Sequence, residues 1–351
     1  MTASLYGISQ SNRNFADPYY WGKNQFNSSF PVALACYMRD RQLPLNYLED
    51  KGNKNVAVSE ITADEVLGTN IPNEKIFFSF ESRFEPYGYL VHDSLKLIDL
   101  VCRESRDGRA LTPLEIKLTT IPDSTTFDKK EIDYGSELVV RNPTTRYMAL
   151  SMVHSCQRKM RKIRNLFEPL CHSIRSWDNA AEVLTKREQI METLNQFLDD
   201  FKHFQKPLLM QPIWKTVGRS AELAENCLDI FIWSNFSLAR LIMDAAKERR
   251  TEITRPQRAA IRLARFLYEA STRKRVYQGP IYDGMTYNTL NDKEFAIAGN
   301  RTNEFMRCKR LETPAVEKDE IKHIIRGGGQ NFLSPERRFD SIIFYSTDLF
   351  D

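Results

Sequence analysis

The pattern of apolar and polar residues changes along the chain. Between residues 75 and 141, β-branched and aromatic residues form short runs separated by glycine and proline, which is typical of strands. The predicted strands are 75–81, 95–102, 114–120, 137–141 and, close to the end of the sequence, 339–346.

Longer segments have apolar residues three and four positions apart, a period that indicates amphipathic helices. Thr254 is the expected N-cap of one such helix, with Pro256 in its first turn. The predicted helices are 28–48, 147–177, 180–203, 220–248 and 254–274. We predict an α/β core with a large helical block inserted into it or appended to it.

This organisation divides the chain into three parts. Residues 1–142 contain an N-terminal segment and the strand-rich core. Residues 143–275 form a mainly helical region, and residues 276–351 form a C-terminal α/β segment that we expect to pack on the core.

The composition is that of an ordinary globular protein, with 42% hydrophobic and 27% charged residues among 351. The net charge of +4 neither requires nor excludes nucleic acid as a partner. None of the six cysteines forms a Cys-x-x-Cys pair and the five histidines are scattered, which argues against structural zinc. Without a signal-peptide pattern or a bilayer-length apolar stretch, we expect a cytoplasmic protein with free cysteines and no membrane partner.

Two charged residues interrupt the apolar run at 114–118. Side chains alternate between the faces of a strand, so Glu115 and Lys117 should share the face opposite to Leu114 and Ile116. Two adjacent charges on an otherwise buried strand cost desolvation free energy. They are expected there only if a partner or a metal ion compensates them.

The register of the preceding hairpin decides whether Asp99 joins this pair. A two-residue turn at 107–108 would place Asp99 opposite Ile116, on the wrong face. A three-residue loop with Gly108 in the left-handed conformation would place Asp99 opposite Glu115. We predict the second register, from that loop or from a bulge near Pro113.

Three side chains would then provide metal-dependent hydrolytic chemistry. The carboxylates of Asp99 and Glu115 are hard oxygen ligands suited to Mg²⁺, and the backbone carbonyl of Ile116 is a candidate further ligand. Lys117 would orient the attacking water and stabilise developing negative charge.

The acid-x-Lys spacing is not specific by itself. It recurs at 49–51, 128–130, 200–202 and 320–322, but only 115–117 combines alternating apolar neighbours with an acid on a preceding strand. From the pattern alone, a nuclease site and a salt-bridged surface hairpin are equally open interpretations.

At these positions the sequence resembles the PD-(D/E)xK nuclease superfamily, with Ile98 where the signature has proline before its aspartate. It is similar, more specifically, to the HindVP/HgiDI-like type II restriction endonucleases over about the first 125 residues. The similar stretches are 6–15, 21–31, 99–101, 114–118 and 122–123.

The resemblance implies a restriction-endonuclease-like α/β core, a mixed central sheet flanked by helices, with the catalytic site within 1–142. It implies Mg²⁺-dependent cleavage of both strands of duplex DNA at a short palindrome, with GRCGYC as the associated site. A palindrome favours a homodimer, and 143–275 is a candidate for DNA binding or dimerisation. A cognate DNA methyltransferase would be a functional partner and not a binding partner.

Further residues have both a functional and a structural interpretation. Glu81 could be the extra upstream acid that such nucleases often recruit to the metal, or a solvated glutamate at a strand end. Side chains that could contact DNA could equally cap the core or form solvated helix faces. These DNA-binding candidates are Arg13, Lys23, Asn24, Gln25, Asn27, Arg158, Arg161 and Lys162, with a second basic row at Arg258, Arg262 and Arg265.

Two rival functions remain open at this point. One is a repair or structure-specific nuclease with the same core. The other is a non-catalytic DNA-binding protein in which the charged hairpin has no chemical role. Cleavage of plasmid DNA into discrete bands separates the restriction enzyme from both.

Overall fold

The structure is a computed structural model of the chain. It describes residues 37–50, 56–70, 72, 75–105, 107–117, 138–202, 208–211, 229–231, 236–247, 252–285 and 293–297.

The described strands form three sheets, ordered β2-β1-β8-β9-β6, β3-β4-β5 and β10-β7. Their pairings are all antiparallel, both between strands that are close in the chain, such as β4 and β5, and between distant ones, such as β6 and β9. The strands are β1 (Leu45–Asp50), β2 (Val56–Ile61), β3 (Phe77–Ser82), β4 (Ile98–Arg103), β5 (Ala110–Leu114), β6 (Ile116–Lys117), β7 (Leu138–Arg141), β8 (Leu208–Gln211), β9 (Asp229–Phe231) and β10 (Lys293–Ile297).

The expected mixed central sheet is therefore not what these residues form. Within the described ranges, parallel pairing is limited to an isolated bridge between Val91 and Val276, outside the named strands. The coarser prediction of a chain that combines sheets with many helices agrees with the structure.

Most of the helices follow β7 in the chain. Short 3₁₀ helices lie at Glu85–Leu90, before β7, and at Gln157–Lys159, after it. The α-helices are α1 (Ala63–Leu67), α2 (Asn142–Ser155), α3 (Met160–His172), α4 (Ala180–Thr185), α5 (Arg187–Asp200), α6 (Phe236–Ala246), α7 (Arg255–Thr272) and α8 (Gln278–Tyr282).

The predicted start of α7 is confirmed. Thr254 accepts a hydrogen bond from the backbone of Gln257, whose side chain accepts one from the backbone of Thr254, and Pro256 lies in the first turn. This reciprocal capping box satisfies two backbone donors that a helix start otherwise leaves unpaired.

Other predicted helices have different bounds. The predicted helix 28–48 is wrong at its end, because residues 45–50 form β1, although residues 37–40 are helical. Likewise, the predicted helix 220–248 contains strand β9 at 229–231 before α6 begins. Pairing with distant strands overrides the local helical pattern in both places. The predicted strand at 339–346 lies outside the described residues.

The two long helices predicted over 147–177 and 180–203 are each broken into two. A 3₁₀ turn separates α2 from α3, and Lys186 separates α4 from α5. Each of the four shorter helices contributes buried apolar residues to a shared core.

One hydrophobic core includes residues from the strands and from the helices. Helix α7 packs against α2, α3, α5 and α6, and it contributes Phe266 to the core. Ile98 and Val101 of β4, Tyr147 of α2 and Tyr282 of α8 belong to the same cluster. Each fully buried large apolar side chain stabilises the fold by about 1.5–3 kcal/mol, so β4 is held firmly against the helices.

The predicted free cysteines are confirmed where the structure describes them. Cys102, Cys156 and Cys171 are buried and form no disulfide, and burial raises the pKa of each thiol to about 12. Within the described helices, none combines the length and apolar character needed to cross a bilayer.

Candidate active site

The β4–β5 hairpin has the predicted register. Leu100 pairs with Leu114 and Val101 with Pro113, so the next position along places Asp99 opposite Glu115. The two acids singled out from the sequence are thus neighbours across adjacent strands.

A β-bulge produces this register. Arg103 pairs with Ala110 next to the loop, and that pairing alone would place Asp99 opposite Leu114. The extra residue Leu111 shifts the pairing by one position. The bulge lies two residues before Pro113, close to where a bulge was expected.

The alternative origin of the register, a three-residue loop with left-handed Gly108, is wrong. The loop is closed by a hydrogen bond from the Glu104 amide to the Arg109 carbonyl, and the Gly108 amide donates to the Ser105 carbonyl. Among the described glycines only Gly68 has a positive φ. The hairpin is therefore closed without a left-handed Gly108, and the bulge at Leu111 sets the register.

Glu115 lies where the chain passes from one sheet to another. Strand β5 ends at Leu114 and pairs with β4, whereas β6 begins at Ile116 and pairs with β9. Ile116 faces Phe231 in this second sheet. Glu115 is therefore fixed on both sides by strands that belong to different sheets.

A hydrogen bond joins the Asp99 carboxylate to the residue that follows Glu115. The Ile116 amide donates to Oδ2 of Asp99 at 2.8 Å, just beyond the last backbone pair of the hairpin. Asp99 is half-buried. A carboxylate that accepts a backbone amide has a defined orientation, so Asp99 is held against the peptide that follows Glu115.

Glu115 is more buried than its strand pattern predicts. It is 6% exposed, against 9% for Leu114 and 8% for Ile116, so burial does not alternate here. The first turn of α2 covers the face that was expected to be polar: Thr144 Oγ1 donates to Glu115 Oε1 at 2.6 Å. A buried carboxylate requires such compensation, because an unpartnered charge would cost several kcal/mol, roughly, in the protein interior.

Lys117 follows two residues later on β6, where its backbone pairs with Ile230. Its side chain lies outside the described part of the structure, so the predicted role of the ammonium group stays a prediction.

Glu81 occupies an unusual backbone conformation beside this site. It lies between the pairs Phe80–Leu100 and Ser82–Ile98, so its position faces Asp99 from the other side of β4. Its φ of 43° is left-handed although it lies within a strand and is not glycine. Such strain costs about 1–3 kcal/mol and is concentrated at functional sites.

The two acidic side chains could bind a hard divalent cation only if other ligands complete its coordination shell. Within the described residues, no group of three or more His, Cys, Asp and Glu side chains is arranged to hold a metal ion. Asp99 and Glu115 provide two carboxylates on facing positions, which is the donor chemistry that Mg²⁺ prefers together with water and phosphate oxygens.

Helix α2 is hydrogen-bonded to residues that flank the two hairpin strands, one after β5 and one before β4. Thr144 bonds Glu115, and the hydroxyl of Tyr147, one turn later, donates to the carbonyl of Lys96 just before β4. Burial raises the pKa of Tyr147 to about 12, so its hydroxyl remains protonated as a donor at neutral pH. Neither residue was singled out from the sequence; the Asn142-Pro143 helix start was the available signal.

The predicted DNA-binding residues fall into two groups. Arg13, Lys23, Asn24, Gln25 and Asn27 lie outside the described residues. Arg158 lies in the 3₁₀ turn before α3, Arg161 and Lys162 lie in the first turn of α3, and all three are exposed.

Lys162 already has intramolecular partners. It pairs with Asp200 at 3.0 Å and lies 5.3 Å from the centroid of the Phe201 ring. An exposed pair of this kind contributes about 0–1 kcal/mol, so it would exchange readily for a phosphate contact.

The second basic row is structural. Arg258 and Arg262 are buried, and Arg262 donates to the carbonyl of Met285. Arg265 pairs with Glu269 at 2.9 Å. These side chains are engaged within the protein, so the phosphate-contact interpretation of this row is wrong.

Comparison with known proteins identifies the family. The model of the HindVP restriction endonuclease family matches residues 21–350. Type II restriction enzyme HgiDI of Herpetosiphon aurantiacus is 37% identical over 348 residues, which is 99% of this chain and 97% of that protein. The probable type II restriction enzyme HindVP of Haemophilus influenzae is 38% identical over 348 residues, 99% of this chain and 94% of that protein. No solved structure matches.

This chain belongs to the HindVP restriction endonuclease family. The resemblance was inferred from about the first 125 residues. The comparisons extend it over nearly the whole chain. The predicted class of enzyme, a type II restriction endonuclease, is confirmed by these relatives.

The hydrogen bond between Asp99 and Ile116 predicts a difference between two substitutions. Asp99→Asn retains an acceptor oxygen, so its free energy of unfolding should stay close to that of the wild type. Asp99→Leu leaves that hydrogen bond unmade and should cost about 1–3 kcal/mol in urea unfolding. Asp107→Leu, in the exposed hairpin loop, is the matched control. Equal losses for Asn and Leu at position 99 would contradict the assignment.

Proposed function

We propose that this protein hydrolyses phosphodiester bonds in both strands of duplex DNA at a short palindromic site, with Asp99, Glu115 and Lys117 as its catalytic residues. The single observation that supports the site best is the register of the β4–β5 hairpin, because it places Asp99 opposite Glu115. The hydrogen bond from the Ile116 amide then orients the Asp99 carboxylate in that register. Family membership supports the reaction class.

The two carboxylates and the Ile116 carbonyl are the proposed ligands of Mg²⁺, with Glu81 as a further candidate acid. When bound, the ion would supply a water of lowered pKa and offset negative charge on the phosphate. Asp99 is held by the Ile116 amide and Glu115 by the Thr144 hydroxyl, so both carboxylates are oriented before any ligand arrives.

Lys117 is the proposed partner of the attacking water. It follows Glu115 by two residues and lies on β6, directly after the junction that holds Glu115. An ammonium group there would orient the water and stabilise the charge that develops on the phosphate oxygens.

The start of α3 is a proposed DNA contact. Arg158 and Arg161 are exposed cations within one turn of each other, and Lys162 extends the same basic surface. Together with Arg13, Lys23, Asn24, Gln25 and Asn27, they are the proposed DNA-binding residues.

The remaining parts of the proposal follow from the reaction. A palindromic target matches a two-fold protein, so a homodimer is the proposed assembly, with 143–275 contributing to DNA binding or dimerisation. GRCGYC is the proposed recognition sequence. A cognate methyltransferase would protect host DNA by modifying the same site, without binding this protein.

Plasmid cleavage tests the function and the site together. With Mg²⁺, the purified protein should cut a sequenced plasmid into discrete bands whose ends fall within GRCGYC. Asp99→Ala, Glu115→Ala and Lys117→Ala should each lower the cleavage rate by at least about a hundredfold, because each removes a group needed in the transition state.

Glu104→Ala is the matched control for the acidic variants. Glu104 lies on the same hairpin, beyond the strands, and pairs with the exposed Arg109. Its loss should leave the cleavage rate within about twofold, as expected for a surface pair. Undiminished cleavage by any of the three site variants would contradict the assigned site, and smeared or structure-specific products would contradict restriction activity.

Salt dependence tests the basic surface. Removal of one cation that binds a phosphate should lower the slope of log K against log salt by roughly one. Arg158→Ala and Arg161→Ala should therefore each reduce the slope in anisotropy titrations of a labelled duplex with Ca²⁺, which is expected to support binding without cleavage. Arg175→Ala, an exposed cation at the other end of α3, is the control. If neither Arg158→Ala nor Arg161→Ala changes the slope, this surface does not contact the DNA phosphates.

A further inference from the structure

We propose that Thr144 is a positioning residue that fixes the carboxylate of Glu115 for metal binding. The proposal rests on the proposed function of Glu115 as a metal ligand, and it adds a residue outside the catalytic hairpin to the site. Its basis is the 2.6 Å hydrogen bond from Thr144 Oγ1 to Glu115 Oε1.

Both partners of this bond are buried. Thr144 is 1% exposed and Glu115 is 6% exposed. A hydroxyl bond to a carboxylate is stronger than a neutral one, and in a buried setting it is little weakened by water. A carboxylate has about four lone-pair directions and a single hydroxyl donor uses one, so a bond from Thr144 is compatible with ligation of a cation by Glu115.

The neighbouring threonine shows that this arrangement is specific. Thr145 is equally buried, but its hydroxyl donates to the Asn142 carbonyl within its own helix at 3.0 Å, the usual arrangement for a helical threonine. Thr144 instead donates across the structure to Glu115. The two adjacent hydroxyls therefore have distinct roles, one local and one at the site.

The helix that presents Thr144 is anchored on both sides. Arg146 pairs with Asp283 at 2.6 Å, and the Tyr282 hydroxyl donates to the Thr145 carbonyl at 3.3 Å. The Tyr147 hydroxyl donates to the Lys96 carbonyl. Since the first turn of α2 is fixed to α8 and to the start of β4, the Thr144 hydroxyl has a defined position relative to the hairpin.

The test compares three variants of the full chain. Thr144→Val keeps the shape and removes the hydroxyl, Thr144→Ser keeps the hydroxyl, and Thr145→Val makes the same change one residue away. Calorimetric titration with Mn²⁺ alone should show about tenfold to hundredfold weaker binding for Thr144→Val, the usual effect of removing a partner that orients a metal ligand. Thr144→Ser and Thr145→Val should bind like the wild type.

Glu115→Gln separates this proposal from the one on which it rests. If Glu115→Gln binds Mn²⁺ as tightly as the wild type, Glu115 is not a metal ligand and the proposed site fails. If Glu115→Gln loses binding but Thr144→Val matches Thr145→Val, only the positioning role is overturned. Should Thr144→Val fail to fold by thermal melting, Thr144→Ala takes its place under the same criterion, with recovery by Thr144→Ser required.

Discussion

The pairing register of the β4–β5 hairpin is the constraint on which the candidate site depends. Without the bulge at Leu111, the pairing next to the loop would set Asp99 against Leu114. A shift of one residue turns a side chain to the other face of a sheet, so the two acids would be separated. The Asp99–Ile116 hydrogen bond then holds the hairpin where its ladder ends and β6 departs into another sheet.

Local features of this hairpin could be predicted from the sequence, whereas its surroundings could not. The apolar runs located β3, β4 and β7, and the spacing of the charged residues selected the register that joins Asp99 to Glu115. Strands β1 and β9 were taken for helix, because they pair with segments far away in the chain. The need for a partner of Glu115 was predicted, but the partner itself was not, because Thr144 comes from a helix beyond residue 141.

Charge patterns were ambiguous until tertiary contacts resolved them. A row of arginines on a helix suggests a solvated or phosphate-binding face, yet Arg258 and Arg262 are buried and Arg262 donates to the Met285 carbonyl. Arg158 and Arg161 fit the same sequence description and are exposed. Periodicity places residues on one side of a helix, and only packing decides whether that side faces protein or solvent.

Metal-directed cleavage of the protein chain tests the central claim most directly. Fe²⁺ in place of Mg²⁺, with ascorbate and peroxide, generates radicals that cut the backbone next to the bound ion, and mass spectrometry of the fragments locates the cuts. If the hairpin holds the metal ion, cuts are expected beside Asp99 and within 115–117, and they should disappear when excess Mg²⁺ competes. Cuts confined to other segments, with both of these intact, would contradict the assignment of the hairpin as the active site.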